Sequence, residues 1–226
     1  GSNVLVRDKG IRGIVIKLGN MLRHFYEAED LLVFGSGYSL ALASYKAMEC
    51  GKTGMEFAVG IPGSIGGAVY MNAGAYDGEM QNIVNCVKVM DLQGNERVLT
   101  AEELNFGYRK TSLQNSGLIV TEVTLKMPSG NKDEIKSKMD DFSHRRISKQ
   151  PLEMPSAGSM FKRPPGYFAG TLIDQAGLKG YTVGGAQIST KHAGFVVNVG
   201  GATAADVLQL IKDVQTKIKA GVGVEL

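Results

Sequence analysis

Residues 60–76 read GIPGSIGGAVYMNAGAY and hold five glycines among small side chains. A run this poor in side chains cannot supply a core of its own. It constrains the chain to tight turns, close backbone approach or the cradling of a ligand, because glycine alone takes positive φ without steric cost. Successive amides in such turns line concavities that hold phosphate oxygens. The spacing matches neither G-x-x-x-x-G-K-[ST] nor G-x-G-x-x-G, so the usual triphosphate and Rossmann fingerprints are excluded. Tight turns packed on helices explain the same composition. The triplet GSN at 1–3 is a second candidate turn for the same ligand, and two such segments without clustered acids suit a large dinucleotide better than a metal-bound triphosphate.

The chain has 226 residues, 43% of them hydrophobic, which is enough for a full-sized core in one or two domains. Its 25 Lys and Arg against 22 Asp and Glu leave a formal charge of +3, too balanced for a nucleic-acid or membrane surface. Any anion site must therefore be local. Cys50 and Cys86 lie far apart without C-x-x-C spacing and read as buried free thiols in a reducing compartment. There is no apolar run of 18 residues and no secretory leader, so the protein is expected to be soluble and cytoplasmic, without membrane insertion. The start, GSNVLVRD, lacks an initiator methionine and enters a strand-like run at once, so the natural chain is expected to begin earlier.

Strands are predicted at VLVRD (4–8), RGIVIKL (12–18), LLVFGSG (31–37) and LIVTEVTLKM (118–127), with IVNCVKVMD and RVLT forming a hairpin around LQGN. A helix follows over 39–50, with Ser39 as its cap and Gly51 past its end. Thr100 and Glu103 make a capping-box signature. After the turn formers PSGNKD, a helix places Ile135, Met139 and Phe142 on one face, and a domain boundary is set near residue 129. Beyond it, FAGTLIDQAG reads as a helix ended by Gly177 and FVVNV (195–199) as a buried strand. Residues 203–221 read as a long helix capped by Thr203, with Val207, Leu210, Ile211, Val214 and Ile218 as its stripe.

Taken in order, GSNVLV, GIPGSIGGAVYMNAGAY, GYRKTS, SKQP, PSAGSMFKRPPGYFAG and STKHAGFVVN resemble the UDP-N-acetylenolpyruvoylglucosamine reductase (MurB) family, in its type II form, along the whole chain. The resemblance implies an α+β protein: an FAD-binding domain of the vanillyl-alcohol-oxidase (PCMH) type over 1–128 and a smaller α+β substrate-binding domain over 129–226. It implies FAD as cofactor, NADPH as hydride donor, a small-molecule UDP-sugar substrate and no nucleic-acid partner, in peptidoglycan precursor synthesis. The family pattern extends before GSN and continues past GVGVEL through a glutamate-bearing strand. By resemblance, the first part of the FAD domain and that catalytic glutamate are missing from residues 1–226.

The cofactor contacts implied are Gly1, Ser2, Asn3, Gly60, Ile61, Pro62, Gly63, Ser64, Gly66, Gly67, Asn72, Ala73 and Gly74. Adding hydride to the enolpyruvyl double bond leaves enolate character on the carbon bearing the carboxylate, so that charge needs a cation and that carbon needs a proton. By resemblance Arg109 of GYRKT is the catalytic arginine and Ser159 of PSAGS the proton donor. A neutral hydroxyl is a weak acid, so the serine needs a strongly basic acceptor and fixed geometry. Tyr108 matches a substrate-contacting tyrosine, with a packed core ring as the alternative. Lys149 and Arg163 match positions near the UDP diphosphate, and His192 lies in a motif beside the substrate, with packing of that turn as the alternative. His24, His144 and His192 have no metal-ligand spacing, and no metal is expected. A different FAD oxidase on the same fold, or a nucleotide-binding module without catalysis, are the competing readings.

Overall fold

The computed structural model describes residues 1–226, and their contacts divide the chain into two compact units, one of residues 16–144 and one of residues 1–15 with 145–226. In the first unit the elements run β1 (Phe25–Ala28), β2 (Leu31–Gly35), α1 (Leu40–Glu49), α2 (Ile65–Tyr70), β3 (Gly74–Ala75), β4 (Gly78–Glu79), β5 (Val84–Met90), β6 (Glu96–Thr100) and β7 (Ile119–Lys126). Helix α3 (Lys132–Lys149) follows and runs across the division. Five strands form an antiparallel sheet in the order β1-β2-β7-β5-β6, and β3 pairs with β4 as a separate hairpin.

One face of that sheet is apolar. Leu32, Phe34, Val87, Val89, Val123 and Leu125 are buried there in one cluster with Leu40, Ala43 and Ala47 of α1 and Ile65, Ala68 and Val69 of α2. Fully burying side chains of this size stabilises by roughly 1.5–3 kcal/mol each, which is what holds two short helices on the sheet. The local signals act as read: the Ser39 hydroxyl accepts from the Leu42 amide. Gly51, at φ +66, ends α1 while Gly51 N–H and Lys52 N–H bond back to the Met48 and Ala47 carbonyls, a Schellman motif. Thr100 and Glu103 exchange their capping-box bonds at 3.2 and 2.8 Å.

The second unit contains β8 (Ser156–Ser159), α4 (Ala169–Gln175), β9 (Thr182–Val183), β10 (Ala186–Ile188), β11 (Phe195–Asn198) and α5 (Ala204–Val222). Its strands pair antiparallel in the order β8-β11-β10-β9. Leu210, Val214 and Ile218 of α5 pack with Leu172 and Ile173 of α4 and with Ile188 and Val196 of the sheet. Thr203 and Asp206 close a capping box at the start of α5, and Gly223 in the left-handed region ends it. Asp8 adds a second cap, its carboxylate accepting from the Ala204 and Ala205 amides at 2.6 and 3.1 Å.

Two sequence expectations change. No strand forms before Phe25: the runs 4–8 and 12–18 lie open, with Ile14 92% exposed. Strand propensity becomes a strand only where another strand takes its amides and carbonyls, and none pairs with these runs. The compact units also divide at 144/145 rather than at 128/129, and residues 1–15 go with the later unit. The reason for the first shift is the stripe of α3, because Ile135, Met139 and Phe142 pack on Val59, Met48 and Tyr76 of the earlier unit.

Candidate active site

The glycine-rich segment and the loop after β2 are laced together. Leu40 N–H donates to the Gly63 carbonyl at 3.0 Å, Ile65 N–H to Tyr38 at 2.9 Å and Gly66 N–H to Ser36 at 2.9 Å, around a bridge between Ser39 and Ser64. Those two serines are the N-caps of α1 and α2, so both helices begin side by side. In this pairing the amides of Ser39 and Ser64 point away from the bridge. Gly60 (φ +71) and Gly63 (φ +111) take the turn conformations that the bridge requires. A Cβ on Gly66 would stand 2.7 Å from the Ser36 Cβ, so the close approach admits glycine alone. The Ser36 hydroxyl is buried there without a hydrogen-bond partner. Two positive helix ends and an unsatisfied hydroxyl, with no lysine among them, suit an anionic phosphate bridge. The loop 35–39, GSGYS, was absent from the sequence-derived site. The same order of glycine, serine cap and helix that marks 63–65 would have found it.

Asn72 and Gly74 also meet a second loop. Gly107 and Lys110 exchange backbone hydrogen bonds at 2.9 and 3.1 Å around a two-residue turn, and Arg109 occupies its second position at φ +55. The Arg109 guanidinium reaches back to the glycine-rich segment, Nη1 donating to the Asn72 carbonyl at 3.2 Å and Nη2 to Gly74 at 2.9 Å. Gln114 supports the turn from below, its amide donating to the Arg109 carbonyl at 3.1 Å and to Tyr70 at 3.2 Å. Gly74 must be glycine for this, since a Cβ there would meet the Glu79 Cβ at 2.7 Å. Tyr108 is 51% exposed, which removes the core-ring alternative, and its ring lies 5.2 Å from the Arg109 guanidinium carbon.

Ser159 ends β8, facing Phe195 of β11. Between Ser156 and Ser159 the register slips against Val197 and Phe195, so β8 carries an extra residue, and Gly158 sits there at φ +89. Such a bulge re-aims the next side chain. This explains the glycine directly before the serine. The Ser159 hydroxyl lies 3.1 Å from the point that a Cβ on Gly194 would occupy, and His192 Cε1 lies at the same distance from it. Gly194 therefore leaves room that serine and imidazole both flank. His192 Nδ1 accepts the Gly194 N–H at 3.1 Å, which puts the ring proton on Nε2. Burial pushes the His192 pKa below its ordinary value and keeps the ring neutral. Its edge packs on Phe195 with centroids 5.0 Å apart.

The two expected phosphate contacts lie in exposed segments of the same unit. Lys149 is the last residue of α3, and Lys191, next to His192, donates to the Ile147 carbonyl in that last turn at 2.8 Å. One anchor thus holds the histidine loop to the helix end carrying Lys149. Arg163 stacks its guanidinium 4.4 Å over the ring of Phe168. Gly1 and Ser2 line a hollow of about 400 Å³ with Asp8, Ser156, Asn198 and Thr203. The two glycine-rich segments thus fall in different compact units. No three His, Cys, Asp or Glu side chains converge as metal ligands.

Residues 1–100 match the model of an FAD-binding domain, and residues 150–226 match the C-terminal domain of UDP-N-acetylenolpyruvoylglucosamine reductase. The reductase of that name from Clostridium perfringens is 53% identical over 226 residues, all of this chain and 74% of the relative. Its counterpart from Geobacillus thermodenitrificans is 50% identical over the same span, again 74% of the relative. The crystal structure of UDP-N-acetylenolpyruvylglucosamine reductase (MurB) from Thermus caldophilus superposes with a TM-score of 0.86 at 43% identity, covering 96% of this chain and 79% of that one. With both domain models matched and such identity along its full length, the chain belongs to the UDP-N-acetylenolpyruvoylglucosamine reductase family.

Proposed function

We propose that this chain reduces the enolpyruvyl group of UDP-N-acetylglucosamine enolpyruvate to UDP-N-acetylmuramate, with Arg109 gripping the substrate carboxylate and Ser159 supplying the proton. The reaction belongs to peptidoglycan precursor synthesis, in the cytoplasm, on a small-molecule substrate and without nucleic acid. The residues at 36–39 and 60–67 fit FAD: the paired helix starts, Gly63, Ser64 and the unsatisfied Ser36 hydroxyl would hold its diphosphate. When bound, FAD passes hydride from NADPH to the double bond.

The observation that carries this reading is the tether of Arg109. Two carbonyls of the glycine-rich segment hold its guanidinium, and these bonds engage two of its five N–H donors. The fork that remains is fixed in place before a carboxylate arrives, and its charge offsets the enolate as that charge grows. Ser159, aimed by the bulge at Gly158, gives its hydroxyl proton to the carbon bearing the carboxylate, which completes the saturated product. Such proton transfer contributes typically about 10²–10⁴-fold. Lys149 and Arg163 offset the UDP diphosphate, Tyr108 lies against the substrate, and neutral His192 offers its Nε2–H to the substrate.

The tests separate cofactor from chemistry. Purified protein, alone or with added FAD, should show the visible bands of bound flavin; no uptake would sink the flavoenzyme reading. In the holoenzyme, stopped-flow absorbance should show fast bleaching by NADPH and fast recovery on adding UDP-N-acetylglucosamine enolpyruvate. Arg109→Ala should slow the recovery alone; if it leaves the recovery unchanged, the carboxylate-grip role is wrong.

A further inference from the structure

Asn72 is fully buried at φ +43, and its side chain is turned inward to the protein. Its Nδ2 donates to the Gly107 carbonyl at 3.0 Å and to Glu79 Oε2 at 3.1 Å, with Gln81 Oε1 at 3.4 Å. Its Oδ1 accepts the Gln81 N–H at 3.0 Å. An amide has two N–H donors, so both are engaged within this unit and neither is left for a cofactor. Its own carbonyl holds Arg109 Nη1. Gly107 opens the turn on which Arg109 rides. One residue therefore grips the arginine at both ends, the turn through its side chain and the guanidinium tip through its backbone.

We infer that Asn72 is a positioning residue for Arg109 rather than a cofactor contact. The inference rests on the reading of Arg109 as the carboxylate clamp. An arginine side chain is long and loses much rotamer freedom when fixed, and a displacement of about 1 Å at a reacting group can cost about 10²-fold in rate. Asparagine suits the place on three counts. It tolerates the left-handed backbone, its Nδ2 satisfies a buried carbonyl, and its Oδ1 satisfies a buried amide. Alanine meets none of these. Aspartate keeps the backbone and the acceptor but turns a carboxylate toward Glu79 and the Gly107 carbonyl. Glycine keeps the backbone and loses every side-chain bond, which makes Asn72→Gly the cleanest probe.

The experiment uses the holoenzyme and reads the two half-reactions separately. In Asn72→Gly, FAD affinity and the rate of bleaching by NADPH should stay within about twofold of the parent. Recovery with UDP-N-acetylglucosamine enolpyruvate should slow by roughly 10–100-fold. Adding Asn72→Gly to Arg109→Ala should slow recovery no further, because the group that Asn72 places is gone. The inference is overturned if FAD affinity falls tenfold with both half-reactions slowed alike, or if the two losses multiply. Should Asn72→Gly not fold, the parent protein still decides: the Arg109 Nη signals in ¹⁵N NMR should be resolved and slow to exchange, and averaged signals like those of free arginine would refute the anchor. Arg109→Ala with normal recovery would sink the clamp reading instead, and the NMR arm distinguishes that failure from this one.

Discussion

Arg109 and Ser159 are held in opposite ways. Arg109 stands on a turn whose base, carbonyl and guanidinium tip are each bonded to other segments, through Asn72, Gly74 and Gln114. Ser159 gets its direction from the main chain, through strand pairing with β11 and a glycine bulge. The contrast follows from side-chain length. A guanidinium at the end of a flexible stem stays in place only if partners hold it, whereas a hydroxyl one bond from Cβ goes where the backbone sends it.

The comparison can be broken at several points, from the strongest effect down. Ser159→Ala removes the proposed proton source and should slow flavin reoxidation by substrate by roughly 10²–10⁴-fold while NADPH bleaching stays normal; stopped-flow absorbance reads both. Arg109→Lys keeps charge but loses the fork that spans two carbonyls and a carboxylate, so the same step should slow by about 10²–10³-fold. A loss below tenfold would mean that a point charge suffices. Gly158→Ala tests the backbone-only support of Ser159. Nothing lies near a Cβ there, so the penalty is conformational alone, about 1–2 kcal/mol in a urea melt. If the bulge aims Ser159, kcat should fall with KM little changed.

The smallest effect concerns His192. Its pKa is lowered in the folded chain by burial, so below its ordinary value of 6.5 the unfolded chain binds a proton that the folded chain does not. Stability then rises with pH up to that value and levels off above it, and acidification erodes it. Urea midpoints at pH 5.5 and 7.5 should therefore differ more for the parent than for His192→Gln. An equal difference would take the buried neutral imidazole out of the account.

Much of the architecture was legible because its signals are local. Ser39, Gly51, Thr203 and Gly177 each act within a few residues of themselves, and the helices they bound appear where expected, while Thr100 and Glu103 close their capping box over a turn. The hairpin around LQGN forms because β5 and β6 are neighbours in the chain. The failures are non-local. VLVRD and RGIVIKL have the composition of strands, but no strand pairs with them. The spacing of Ile135, Met139 and Phe142 marks one face of α3, yet only packing on Val59 and Met48 decides which unit that part of the helix joins. The motif around Tyr108 fits a core ring as well as a substrate contact, and only its exposure in the fold separates them.

Caps, turns and stripes, the glycines that only a positive φ or close contact can use and, through its motifs, the family are legible along the chain. Those properties are written in adjacent residues and need no partner. Tertiary structure decided the rest of the glycine-rich segment. It set Ser64 beside Ser39, so that two helices start together, and it gave Asn72 to Arg109, 37 positions away. Hydrogen bonds across such separations depend on which backbone groups the fold brings within about 3 Å, and no local pattern records that distance.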